Sequence, residues 1–158
     1  MESIKTTIFI LMFLGSGFFF YSHFSGIEEP KIERGDNLVA AALDGTPLVV
    51  EVAGTKESLR KGLSGRDSIG SDGLLMVFLE EGMHSIWMKD MNFAIDIVWM
   101  DSYGRVVFVE ENVLPETYPD VFSPHTKSKF VLEVDAGRVE REGWKVGSLF
   151  IIKNEDSF

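Results

Sequence analysis

Residues 85–101, SIWMKDMNFAIDIVWMD, hold two tryptophans, three methionines and three isoleucines, with Lys89, Asp90 and Asp96 set among them. The run Ile95 to Met100 reads as a strand. Ile95, Ile97 and Trp99 share one face; Asp96, Val98 and Met100 share the other. Both faces are apolar apart from Asp96, the pattern of a strand covered on both sides. A buried carboxylate without a partner costs several kcal/mol or takes up a proton. Asp96 therefore requires a partner. Arg66 and Lys89 are the candidate cations, and backbone N–H groups are the alternative.

The neighbouring segments extend this reading. Asp101-Ser102-Tyr103-Gly104 is a turn signal that joins Ile95–Met100 to a second strand, Arg105 to Glu110, as a hairpin. Upstream, Pro47 to Val52 is a β-branched run. Thr55 can cap a short helix, TKESLRKGL, which Gly62 and Gly65 bring to an end. Leu74 to Phe78 follows the Asp72-Gly73 turn as a strand, and Ser85 to Met88 resumes one after Glu81-Gly82. Downstream, Lys129 to Val134 is a strand. Asp135 is placed to cap a helix over 136–142, which Gly143 stops, and 148–153 closes the domain as a last strand. Strands dominate and the hairpin implies antiparallel pairing. The expected fold is α+β: mostly antiparallel β, a small partly closed barrel or roll with one or two short helices.

Residues 6–24, TTIFILMFLGSGFFFYSHF, contain only His23 as an ionisable group. As a helix they would span about 28 Å, close to the hydrocarbon thickness of a bilayer. Lys5 and the α-amino group precede this run, and Glu28 and Glu29 follow it, which orients the N-terminus to the cytoplasm and the rest outside. Gly15-Ser16-Gly17 offers a small-residue cleavage pattern, so a secreted form after signal cleavage is the alternative. The apolar run continues past that point through Phe18-Phe19-Phe20-Tyr21, which favours an uncleaved, single-pass anchor. The expected organisation is an anchor at 1–24, a tether at 25–42, a domain at 43–153 and a tail at 154–158.

Composition narrows the partners. The chain has 158 residues, a formal net charge of −10 and no cysteine. So acidic a surface repels nucleic-acid phosphates and anionic headgroups; the bilayer is engaged through residues 6–24 and no nucleic acid is expected. The absence of cysteine removes disulfides, thiolate metal sites and thiol chemistry. His84 and His125 carry no metal-binding spacing, no G-x-S-x-G is present, and Gly62-x-x-Gly65 is not a phosphate loop, so no cofactor or metal is expected. Composition does not fix the oligomeric state.

One succession of blocks spans most of the domain. It runs Lys61-Gly62-Leu63-x-x-Arg66, Gly73-Leu74-Leu75-Met76-x-Phe78, Trp87-Met88-Lys89-Asp90, Ile95-Asp96-Ile97, then Leu132-Glu133-x-x-Ala136-Gly137 and Gly147. In order and spacing it resembles domain-of-unknown-function family 192, across about residues 44 to 152. The resemblance implies a small, mostly β domain, often exported or membrane-tethered. It implies no activity, and no catalytic or binding residue is carried over.

The candidate site residues come from the residues themselves. Asp96 is either a tie holding the 62–66 loop against the sheet or a carboxylate in a ligand cleft. Trp87 divides between core and an aromatic rim, Lys89-Asp90 reads as a solvated turn, and Glu133 alternates outward from Phe130, Leu132 and Val134. A small barrel would bring Arg66, Trp87, Lys89 and Glu133 together beside a shallow cleft able to orient a polar small molecule or glycan. Two function classes follow. The favoured one is a membrane-tethered extracytoplasmic binding or accessory module, without assigned catalytic residues. The other is an envelope polysaccharide hydrolase or lyase using Asp96 and Glu133 as a carboxylate pair.

Overall fold

A computed structural model describes residues 38–153. The expected anchor at 6–24, the tether up to residue 37 and the tail at 154–158 lie outside the described residues. Within them the chain forms β1 (Leu38–Leu43), β2 (Thr46–Ala53), α1 (Lys56–Lys61), β3 (Gly73–Gly82), β4 (Ile86–Trp87), β5 (Ile95–Met100) and β6 (Val106–Val113). A short β7 (Val121–Phe122), β8 (Ser128–Asp135), α2 (Arg138–Glu142) and β9 (Phe150–Ile152) complete it. The strand β1 occupies the last residues of the expected tether, where Leu38 to Leu43 could begin a strand on the sequence alone.

Seven strands form one sheet in the order β6-β5-β8-β3-β2-β1-β9, and β4 pairs with β7 as a separate ribbon. Every pair in the large sheet is antiparallel except β2–β3, where Val50 faces Gly73 and Val52 faces Leu75. A parallel pair needs a crossover, and α1 with the loop after it supplies that connection. The hairpin expected at Asp101–Gly104 joins β5 to β6, with Val98 opposite Val109. A second hairpin, β1–β2, turns on Asp44 and Gly45, both at positive φ. This Asp-Gly pair is a strong turn signal that the sequence reading above omits.

The sheet curls until its two edges meet. Arg105 at the start of β6 bridges to Leu149 just before β9. The Val106 N–H donates to Ser148 O (2.9 Å), and the Phe150 N–H donates to Gly104 O (2.8 Å). The result is a half-closed, mostly antiparallel barrel with two short helices. Its interior is filled by Leu43, Val50, Leu75, Val98, Met100, Leu132, Val134 and Trp144. The outer face of β3, β5 and β8 carries a second apolar layer that includes Leu74, Met76, Ile95, Ile97 and Trp99. Leu63 and Ile69 from the loop after α1, with Met88, pack over it. All six residues of β5 are consequently buried, as a strand covered on both sides requires. Fully burying an apolar side chain such as those of Ile95, Ile97, Val98 and Met100 contributes about 1.5–3 kcal/mol.

Asp96 takes the backbone alternative that the sequence left open beside the two cations. It is completely buried on the barrel side of β5, and neither Arg66 nor Lys89 reaches it. Its Oδ1 accepts the Asn112 N–H (2.8 Å) and its Oδ2 accepts the Val139 N–H (2.9 Å). Val139 lies in the first turn of α2, whose N-cap is Gly137 in the left-handed region without a side-chain cap. Asp96 thus does from another strand what Asp135 was expected to do locally. α2 accordingly starts at Arg138 rather than 136.

Candidate functional site

The site grows from how α1 is stopped and laid on the sheet. Thr55 caps the helix: its Oγ1 accepts the Ser58 N–H and Ser58 Oγ accepts the Thr55 N–H, a reciprocal capping box. Gly62 ends it at φ +48 with no room to spare, because a Cβ there would stand 3.2 Å from Met76 Cε. The following loop is tied to the Lys89-Asp90 turn through backbone atoms. Ser64 Oγ donates to Lys89 O (2.8 Å) and the Gly65 N–H donates to Asp90 O (2.7 Å). Asn92 Nδ2 adds a bond to Arg66 O (2.9 Å). These bonds make the tie that the sequence reading assigned to Asp96.

Beneath that loop lies a row of facing residues across four strands. Glu51 of β2 faces Leu74 of β3, Leu74 faces Glu133 of β8, and Glu133 faces Ile97 of β5. Glu133 alternates away from the barrel interior, as expected from the sequence. It is not exposed, because α1 and its loop cover this face; only 4% of it is accessible. Its Oε2 is buried and without a hydrogen-bond partner. Burial raises its pKa from 4.5 to about 7, against the opposing effect of the Arg66 charge.

Arg66 does not bond to Glu133. Its guanidinium forks onto Glu51, Nη1 to Oε2 at 2.6 Å and Nη2 to Oε1 at 2.8 Å. The hydrogen bonds from Arg66 hold the Glu51 carboxyl below the usual range. Glu51 was absent from the expected site. It and Glu133 are the lone acidic residues between apolar neighbours of their strands (Val50-Glu51-Val52, Leu132-Glu133-Val134), and that shared pattern is the signal that could have found it.

A cavity of about 160 Å³ opens between α1, β3 and β4, lined by Leu59, Leu63, Met76, Ile86, Trp87 and Glu133 among others. It runs beside a wider groove of about 940 Å³ walled by Lys56, Arg60, Lys61, Trp87 and Lys89, with Glu57 and Asp90 as its acidic residues. Trp87 stands on both walls and is 46% exposed. The ring of Tyr118 meets it edge-on at 6.1 Å, and Lys89 Nζ sits 5.7 Å from its centroid. Of the four residues expected beside one cleft, Trp87 and Glu133 line the inner cavity, and Trp87 and Lys89 line the groove beside it. Arg66 lines neither hollow and acts on Glu133 only through its charge.

Asp96 and Glu133 do not form a pair. Asp96 faces Val134 in register while Glu133 faces Ile97, which places the two carboxyls on opposite faces of the sheet. With both Asp96 oxygens committed to backbone N–H groups, the carboxylate pair expected for a glycoside hydrolase is not formed. His84 stacks on Phe78 and His125 meets Phe108 edge-on. Among the described residues no three His, Cys, Asp or Glu side chains gather where they could hold a metal ion.

The family model DUF192, "Uncharacterized ACR", matches residues 39–152. The crystal structure of a protein from Sinorhizobium meliloti 1021, described as a candidate transcription regulator, superposes with a TM-score of 0.70 at 26% identity, covering 76% of this chain and 97% of that one. A protein of unknown function from Novosphingobium aromaticivorans DSM 12444 superposes with a TM-score of 0.66 at 26% identity, covering 72% of this chain and 84% of that one. No curated protein matches the chain.

Proposed function

The chain belongs to the DUF192 family, and since that membership brings no activity with it, we propose a function from the site: a membrane-tethered, extracytoplasmic binding module whose polar ligand enters the cleft between Trp87 and Glu133. The observation that carries this reading is the carboxyl of Glu133. A buried polar atom without a partner is costly, and of the three such side-chain atoms among the described residues, Glu133 Oε2, Arg138 Nε and Trp144 Nε1, Glu133 Oε2 is the one on the lining of the cleft. This one lines a cavity that an exposed tryptophan opens to solvent. Small-ligand sites combine the same parts: mostly apolar walls, an aromatic surface and a few convergent polar groups.

The tethering half of the proposal rests on residues 6–24 and the charges flanking them. Among the described residues no helix is long and apolar enough to cross a membrane, and the proposed anchor is that run alone. A net charge of −10 opposes binding to nucleic-acid phosphates, so nucleic acid is not the proposed ligand. A ligand screen by thermal shift, covering glycans, peptides and small amines and acids, tests the reading. A binder of the native state raises the melting temperature with concentration. The reading requires that such a shift disappear in Trp87→Ala.

A further inference from the structure

The cleft has two adjoining parts. At the inner end, Leu59, Leu63, Met76, Ile86 and Ile95 form an apolar lining that also holds Glu133, its acidic residue, and the cations Arg60 and Lys61. The groove at the outer end carries four cations, Lys56, Arg60, Lys61 and Lys89, against Glu57 and Asp90. A local cationic excess stands out on a chain of net charge −10. The two hollows share Arg60, Lys61, Ser64 and Trp87, so one ligand can occupy both. At about 160 Å³ the inner cavity is smaller than the roughly 300–1,000 Å³ of sites that enclose a whole drug-sized ligand. It fits one end of a molecule.

Resting on the reading of this cleft as a ligand site, we infer that its ligand is a zwitterion: an alkylammonium end that enters the sleeve and pairs with Glu133, joined to an anionic group held in the groove by Arg60, Lys61 and Lys89. An ammonium satisfies Glu133 Oε2, the one buried side-chain oxygen without a partner among the described residues, and its methylenes match the apolar walls. The Trp87 face at the mouth already attracts one ammonium, that of Lys89. The other charged groups near Glu133 do not compete for it. Arg66 is spent on Glu51, and Arg60 and Lys61 have no hydrogen bond or ion pair to Glu133. The same chemistry occurs in free ω-amino acids and in a lysine-type residue near a chain-terminal carboxylate.

The test uses the full chain in detergent, with the indole N–H signals of the three tryptophans followed by NMR. The probes are ε-aminocaproate, caproate, n-hexylamine and N-acetyl-ε-aminocaproate, with a peptide ending in lysine to separate the two sources. Expected is a saturable shift of the Trp87 signal with ε-aminocaproate, and binding about tenfold or more weaker once the amine is acetylated or Glu133 is replaced in Glu133→Gln. Lys61→Glu should weaken ε-aminocaproate more than n-hexylamine. Lowering the pH through about 7 should weaken ε-aminocaproate, because Glu133 takes up a proton while the amine stays charged. Equal binding of caproate or the acetylated compound, or binding that strengthens on acidification, overturns the ammonium assignment and leaves the cleft as a site. Failure of all five probes, together with every compound of the wider screen, overturns the site itself.

Discussion

Asp96 and Glu133 stand on neighbouring antiparallel strands one residue out of step, Asp96 opposite Val134 and Glu133 opposite Ile97, and their carboxyls leave the sheet on opposite faces. Both are buried, at 0% and 4% exposure. On the barrel side, two backbone N–H groups meet Asp96. On the outer side, Glu133 meets apolar walls and a cavity. One carboxyl is therefore part of the frame, and the other is the group that the proposed ligand would meet.

Glu133 should set a pH dependence of stability. Its folded pKa is raised to about 7 from 4.5, so between these values the folded state holds a proton that the unfolded state releases. The stability this brings is present below the unfolded pKa and is lost as pH rises through the folded one, a decline of about 3 kcal/mol from pH 4.5 to 7. Urea denaturation across that range should show the decline in the parent and little of it in Glu133→Gln. Parallel curves for the two proteins would mean that Glu133 titrates normally. Arg66→Met, which removes the opposing charge, should push the decline to higher pH.

Asp96→Ala should cost about 3 kcal/mol, because two buried amides lose their acceptor. The loss has an address. Hydrogen exchange at Asn112 and Val139 should accelerate beyond the global change, since these are the amides Asp96 holds. An unchanged denaturant midpoint would show that the tie contributes nothing.

Closure of the barrel depends on Gly104. It sits at φ +77, and a Cβ there would fall 2.3 Å from the Phe150 carbonyl oxygen. Gly104→Ala should destabilise by about 2 kcal/mol or more, combining left-handed strain with displacement of the closing strand. Gly45→Ala is the control. It shares the positive φ (+84) but meets nothing within 4 Å, so it should cost only about 1 kcal/mol. Equal losses in the two variants would remove the closing contact from the account.

Tethering is checked by topology. A reporter fused after Phe158 should be active only where it works outside the cytoplasm, and the chain should stay with membranes after a high-salt wash. Cytoplasmic reporter activity would refute the orientation. Release of a shorter soluble form would instead establish the cleaved signal.

Much of the frame was legible because it is local. Strand β5, the Thr55 cap and the Asp101–Gly104 hairpin are each written within a few residues, as period-two apolarity, a capping residue and turn chemistry. The parallel β2–β3 pair was not legible, since register between distant segments leaves no local mark. The same limit explains the site. Glu133 was read correctly as pointing out of the barrel, yet period two tells only which face a residue takes, not what covers that face. Asp96 was correctly read as buried and in need of a partner; its partners, Asn112 and Val139, lie 16 and 43 residues away. Arg66 was drawn to the wrong acid, Asp96, because sequence separation does not tell which strands lie side by side; its partner Glu51 sits on β2, two strands over from Glu133.

The central claim is that a ligand occupies the cleft between Trp87 and Glu133, and the three indole signals measure it directly. Trp99 is fully buried with its Nε1–H donated to His84 O (2.7 Å), and Trp144 is buried among the barrel interior, so both report on the frame. Trp87 alone is exposed on the cleft. Titration with the compounds that raise the melting temperature should move the Trp87 signal saturably, leave those of Trp99 and Trp144 in place, and lose the effect in Glu133→Gln. A stabilising ligand that leaves Trp87 unmoved, or one that binds Glu133→Gln as tightly as the parent, would contradict the claim.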